Sequence, residues 1–263
     1  MLCGGLILCL LTRSIDEPMP IDINQVCSIK STVVAGAPAL SRSTERDLTL
    51  VLDMRLSSDW HTYWWDAGSW GAPPRLSVAA PAGWEIGSAV LPVPERIETE
   101  LGPVYGYHDS VRLQVPLRRP DCSAADLTYE LEWLVCKEAC LLGMETKTIK
   151  VPSVLPSGDQ KSLQQDAEHL APGRRLRSRL VGNVLRIEHP KGCLGRPVVV
   201  FRPIDAVSRL GDEPDMQDEE WALPLQIRRE DFPEGEPVTL HGLLLFQDGA
   251  SGGTYAFSTS LNN

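Results

Sequence analysis

Apolar and polar residues alternate along several stretches of the chain with a period of two, the spacing of a strand that buries one face. In "RDLTLVLDMRL", Leu48, Leu50, Leu52, Met54 and Leu56 alternate with Thr49, Asp53 and Arg55. Val111, Leu113, Val115 and Leu117 do the same in "SVRLQVPL", and Leu127, Tyr129, Leu131, Trp133 and Val135 share one face of "LTYELEWLV". Pro- and Gly-rich connections such as "AGSWGAPPRL" and "APAGW" separate these runs. Short alternating strands joined by turn-forming residues predict an antiparallel sandwich.

The pattern stops at "PSVLPSGDQKSLQQDAEHLAPGRR", which is polar and flanked by proline, with one short helix predicted from Gln160 to Leu170. Strand-like runs then resume in "NVLRIEH", "RPVVVFRP", "WALPLQIRR" and "VTLHGLLLFQ". The expected organisation is a first β-domain over residues 26–155, a linker over 156–175 and a second β-sandwich over 176–263. No internal repeat relates the two halves. The opening "MLCGGLILCLLTR" has an apolar run from Leu2 to Leu11, short of the roughly 20 residues that cross a bilayer. It fits the apolar part of a secretory leader over residues 1–20, although no Lys or Arg precedes it. Export is therefore expected, and no other segment is apolar enough to span a membrane.

The totals narrow the function classes. A formal charge of -10 lacks the basic face that nucleic acid requires. No G-x-S-x-G elbow, P-loop, H-E-x-x-H or paired-carboxylate motif occurs, so hydrolase and nucleotide chemistry have no support. The acidic run Gly211 to Glu220 reads as a solvated loop, with calcium only weakly signalled. The aromatic group Trp60, Tyr63, Trp64, Trp65 and Trp70 reads as core packing rather than a ligand platform. His61 reads as a hydrogen-bonded structural residue, because no acid–base partner is near it in sequence.

The chemistry-bearing stretch is "EWLVCKEACLLG", in which three residues separate Cys136 from Cys140. Strand parity puts Thr128, Glu130, Glu132 and Cys136 on the outward face, opposite Tyr129, Trp133 and Val135. Four residues of straight strand span about 13 Å, whereas bridged Cα atoms lie within about 7 Å, so a bond between the two requires chain reversal. "KEA" is a suitable three-residue hairpin loop and "METKTIKV" the returning strand. Cys140 then shares the polar parity of Thr146 and Thr148, unless Gly143 introduces a bulge. Three readings stay open at this point. A structural staple closing so short a loop contributes about 2 kcal/mol. Half of a metal site is the second, although none of His61, His108, His189 and His241 stands at ligand spacing from the pair. A redox pair is the third. Lys137 favours a thiolate there and Glu138 opposes it. Cys27, Cys122 and Cys193 are left without an assigned partner.

"WLVCKEACLLGMETKTI" resembles the redox hairpin of the N-terminal periplasmic domain of the thiol:disulfide interchange protein DsbD, and is closer still to the related copper-sensitivity suppressor ScsB. "DWHTYWWDAGSWGAPPRL" and "LGPVYGYHDSVRLQVPL" resemble two further ScsB-like signatures, in the family's order, over about residues 28 to 152. Leu142 departs from the pattern, standing where the family commonly has proline. The resemblance implies an immunoglobulin-like fold, so the whole is expected to be all-β, with two immunoglobulin-like antiparallel sandwiches. It implies periplasmic dithiol–disulfide exchange through Cys136 and Cys140 without cofactor or metal, Cys140 forming the mixed disulfide and Cys136 resolving it. It implies thioredoxin-like proteins and a membrane electron-transfer protein as partners. A cap loop is implied over Glu98 to Tyr107, namely Glu100, Leu101, Gly102, Tyr105, Gly106 and Tyr107, with Leu101 and Tyr105 over the sulfurs. The competing readings are a non-catalytic adaptor with a structural disulfide and a copper- or zinc-handling protein.

Overall fold

The structure, a computed structural model, describes residues 21–36, 44–155, 175–191, 193, 196–202, 204, 206–210, 214–232, 237–246 and 254–261. The expected leader, the expected helix from Gln160 to Leu170 and the first three residues of the acidic run lie outside the described residues. Among the described residues the regular structure is strand, apart from two short helical turns.

After one helical turn at Ile23–Val26, ten strands form the first sandwich: β1 (Cys27–Ala35), β2 (Asp47–Leu56), β3 (His61–Gly68), β4 (Arg75–Ala79), β5 (Glu85–Ile86), β6 (Glu95–Ile97), β7 (Val104–His108), β8 (Ser110–Arg118), β9 (Ala125–Cys136) and β10 (Cys140–Val151). One sheet runs β1-β2-β8-β5, and the other runs β10-β9-β3-β7-β6 with β4 also on β9. The period-two residues meet between them. Leu48, Leu50, Leu52 and Met54 of β2, with Val111, Leu113, Val115 and Leu117 of β8, pack against Leu127, Tyr129, Leu131, Trp133 and Val135 of β9. All are buried, at about 1.5–3 kcal/mol for each fully buried aliphatic side chain. This is the immunoglobulin-like sandwich expected from the alternation and the resemblance.

No bulge forms at Gly143. The β9–β10 register is unbroken from Cys140↔Cys136 to Val151↔Ala125. Gly143 instead makes room for the aromatic ring opposite: a Cβ there would lie 2.2 Å from Cε2 of Trp133. Trp133 can therefore fill the core without pushing the hairpin apart.

Eight strands form the second sandwich: β11 (Ser178–Val181), β12 (Val184–Glu188), β13 (Pro197–Phe201), β14 (Val207–Arg209), β15 (Asp215–Gln217), β16 (Glu220–Ile227), β17 (Thr239–Phe246) and β18 (Thr254–Ser260). The sheet β11-β12-β16-β14, with β15 on β16, faces the sheet β13-β17-β18. β13 reads "PVVVF" with no alternation because it is buried on both sides. Val199, Leu244 and Phe257 point into the second core. Val198, Val200, Leu243 and Leu245 join the first domain's core.

Polar contacts clamp this apolar junction. The Asp66 carboxylate on β3 lies 3.1 Å from Nη2 of Arg209, and both side chains are largely buried, at 13% and 12% exposure. Arg209 also donates to the Val199 carbonyl at 2.6 Å. Arg202 donates to the Ala89 carbonyl at 2.5 Å and lies over the Trp65 ring, 5.1 Å from its centroid. Losing one partner of a buried pair strands the other charge, which costs about 3–5 kcal/mol, whereas an apolar replacement of both is close to neutral. Asp66→Ala should therefore lower stability by about 3–5 kcal/mol in urea unfolding, and Asp66→Leu combined with Arg209→Met should recover most of that loss.

Candidate functional site

Three residues, 137–139, reverse the chain between β9 and β10, with the Lys137 N–H donating to the Ala139 carbonyl at 3.1 Å. The reversal sets Cys136 and Cys140 directly opposite each other, with Cα atoms 4.1 Å apart, and the two sulfurs are bonded. Lys137 at the tip pairs with Asp59 at 3.1 Å, just ahead of β3.

The two cysteines differ in exposure. Cys140 is exposed, while Cys136 is 0% exposed. Parity placed Cys136 on the outward face, where a thiol was expected to be reachable. The face is as expected, but the exposure is not. Tyr63, Ile97 and Val104 form a second small apolar cluster with Cys136 on that face, with Ala67, Trp70 and Leu134 packed around it. The outer side of the sheet is therefore roofed where the inner sulfur lies.

The roof is built from β6, β7 and the connection after β3. Ile97 pairs with Val104 across β6 and β7. The Trp70 indole N–H donates to Oγ1 of Thr99 at 2.8 Å, and the Thr99 hydroxyl donates to the Gly102 carbonyl at 2.5 Å. The Ser69 N–H donates to the Pro103 carbonyl at 3.0 Å. Alternation along β7 then sorts the residues expected to cap the pair. Val104, Gly106 and His108 share the sulfur face, while Tyr105 and Tyr107 belong to the main core between the sheets. The Tyr107 hydroxyl donates to the Pro92 carbonyl at 2.6 Å. Glu100 and Leu101 are exposed at the loop tip, Leu101 by 72%, and Gly102 beside them has φ +109°. Gly106 is constrained by the sheet, since a Cβ would lie 1.8 Å from the Thr62 carbonyl oxygen. The side chains packed around Cys136 are thus Ile97, Val104, Tyr63 and Trp70 rather than Leu101 and Tyr105.

Strand pairing also brings histidines to the pair. His61 is the register partner of Cys136 on β9 and of His108 on β7. Cys140, Cys136, His61 and His108 therefore form one row across four strands, and residues directly opposite in a sheet point to the same face. His61 is 5% exposed, with Nε2 3.2 Å from the Tyr63 hydroxyl. Its ring makes edge contacts with Tyr63, Trp70 and His108 at centroid distances of 5.3, 6.0 and 6.0 Å. Burial, and then the neighbouring His108, hold the imidazole below its ordinary value of 6.5. Burial also pushes the Tyr63 phenol well up, so it stays protonated. These neighbours are distant in sequence, and the one local signal was the shared strand parity of His61 and Tyr63. Among the described residues no group of three or more His, Cys, Asp or Glu is arranged to hold a metal ion.

The family described as "Thiol:disulfide interchange protein DsbD, N-terminal" matches residues 31–152, which include both bonded cysteines and all but the first residues of the first sandwich. Residues 31–152 are thus a DsbD-like N-terminal domain. Among solved structures, the N-terminal periplasmic domain of ScsB from Proteus mirabilis is similar in fold, with a TM-score of 0.56 at 16% identity over 92% of this chain and 95% of that one. That likeness runs through both sandwiches. The reduced N-terminal domain of Neisseria meningitidis DsbD aligns over 52% of this chain and 91% of its own, at 12% identity and a TM-score of 0.32. No curated protein matches the chain.

Outside the pair, the DsbD-type domain holds two further cysteines, and the second domain holds one. Cys27 is buried, and that burial, with a smaller push from the Glu145 charge, drives its thiol up to about 11. Cys193 is buried with its sulfur 3.2 Å from the Tyr255 hydroxyl, and Cys122 is half-buried.

Two outcomes follow from these environments. After reduction, a limiting dose of iodoacetamide should label Cys140 at least about tenfold faster than Cys136, with Cys27 last, as read by peptide mass. Stability should also fall on mild acidification. His61 and His241 are both held below 6.5 by burial, so the unfolded chain binds more protons than the folded one just below that pH, and stability is lost as pH drops through the window. Urea midpoints should be lower near pH 5 than near pH 7, and His61→Gln should remove part of the difference.

Proposed function

We propose that the DsbD-type domain is a periplasmic electron relay working by thiol–disulfide exchange, with Cys136 and Cys140 as its reacting groups. The observation that carries the reading is the asymmetry of the pair: one sulfur presented at a hairpin end and its bonded partner roofed by apolar side chains. Exchange needs one accessible sulfur to meet the partner and a second beside it, protected from wrong reactants, to complete the cycle.

In the reduced domain, the Cys140 thiolate attacks one sulfur of a partner disulfide and releases the first partner thiolate. Cys136 then attacks Sγ of Cys140 and releases the second. Two electrons pass to the partner, and the Cys136–Cys140 bond re-forms. The reverse sequence, begun by an incoming thiolate at Cys140, recharges the domain. Thioredoxin-like proteins and a membrane electron carrier are the partners the DsbD likeness suggests, and the ScsB likeness supports the periplasm as the compartment. The loop from Glu98 to Pro103, which holds Trp70 through Thr99 and has Gly102 at positive φ, is the segment that shifts when a partner docks. No cofactor or metal enters the scheme. The second domain braces β3 from behind through Asp66 and Arg209.

Equilibration in graded glutathione buffers, read by alkylation and mass, should give a midpoint between roughly -180 and -270 mV, the span of exchange proteins. A midpoint well below about -300 mV would make the bond a structural staple and end the proposal. With a disulfide-bonded partner, Cys136→Ser should accumulate a mixed disulfide on Cys140, and Cys140→Ser should form none there.

A further inference from the structure

The row Cys140, Cys136, His61, His108 supplies a group the exchange scheme leaves unassigned. Cys136 must lose a proton before it attacks, and it sits in an apolar cluster where a thiolate is disfavoured. Water has poor access to a sulfur that is 0% exposed. The register places His61 beside it on the adjoining strand, where opposite Cβ atoms lie about 4.5–5.5 Å apart. The Tyr63 hydroxyl lies 3.2 Å from Nε2 and holds the ring.

We propose that His61 accepts the proton of the Cys136 thiol as that sulfur closes the disulfide, and returns it when the disulfide opens. This rests on the exchange reading above and names the base within it. The S–H proton of Cys136 moves to His61, and the thiolate electron pair forms the bond to Sγ of Cys140. The bond between Cys140 and the partner sulfur breaks with its electron pair on the partner, whose thiolate takes the proton from His61. Burial beside His108 keeps the imidazole neutral near pH 7, the form that accepts a proton. The groups facing His61 are Cys136 from β9, His108 from β7, and Tyr63 on its own strand. Trp70 covers it without charge. Beyond them stand the Lys137–Asp59 pair at the hairpin tip and the Arg96–Glu98 pair at the β6 edge.

The test follows the full reduced chain through reaction with dithiobis(nitrobenzoate), quenched in acid at successive times, with hairpin-peptide mass separating the mixed disulfide on Cys140 from the closed pair. In the wild type, closure should show an acid limb below the ordinary histidine range. In His61→Gln, closure near pH 7 should slow about 100-fold or more and lose that limb, while formation of the mixed disulfide keeps its rate. An unchanged closure rate and pH profile in His61→Gln would overturn the assignment and leave the exchange reading standing. If wild-type Cys140 forms no mixed disulfide, the exchange reading fails and this step with it. A second measurement needs no variant. The His61 ring-proton titration should be displaced between the oxidised and reduced chains, and coincident curves would overturn the coupling to Cys136.

Discussion

Everything at the sulfur pair depends on the register of four neighbouring strands. Because side chains alternate from face to face, a slip of one residue in β9 would carry Cys136 to the opposite face and bring Val135 out to the roof. Two features oppose that slip. The core face of β9 is a continuous set of large buried groups, Leu127 to Val135, which pack only in this phase. Trp133 is seated over Gly143, the one residue of β10 without a side chain to collide with it. The site is thus fixed by packing on the face opposite to it.

β3 carries more separate demands than any other strand. Trp60 just before it and Trp64 within it fill the main core, and His61 and Tyr63 belong to the sulfur face. Asp66 holds the second domain through Arg209. The pairing of β3 with β7 becomes irregular between Tyr63 and Gly68, so the strand changes from one task to the next at that point. The histidine beside the inner sulfur and the charge that anchors the second sandwich therefore sit five residues apart on one backbone. A two-sandwich arrangement makes physical sense on those terms, since a strand braced at one end is a stiffer support at the other.

The fold was legible because period-two burial is written directly into the chain. Leu48 to Met54, Val111 to Leu117 and Leu127 to Val135 are buried strand faces, and "KEA" is the hairpin loop. "PVVVF" was readable as a strand, but only the packed structure gives the reason for its unbroken hydrophobicity. The surroundings of the pair were less legible. Parity gave the correct face for Cys136, yet its burial depends on Ile97 and Val104 from strands with no local sign of lying over it. The resemblance implies Tyr105 as a cap, but alternation along β7 turns it into the core and turns Val104 out. His61 reads as structural from sequence alone because its partners, Cys136 and His108, come from other strands.

The roof itself bears on why one sulfur is hidden and not both. A disulfide open on both sides can be attacked at either atom, and the products differ in which thiolate leaves. In the proposed exchange, with Cys136 enclosed and Cys140 exposed, an incoming thiolate would reach only one sulfur, and the group released would be the inner one. The inner thiolate would then form in apolar surroundings, where charge is costly and a nearby proton carrier matters most. Enclosure that selects the attacked atom would thus also create the need for a buried base. The strand pairing that encloses Cys136 is the same pairing that places His61 beside it.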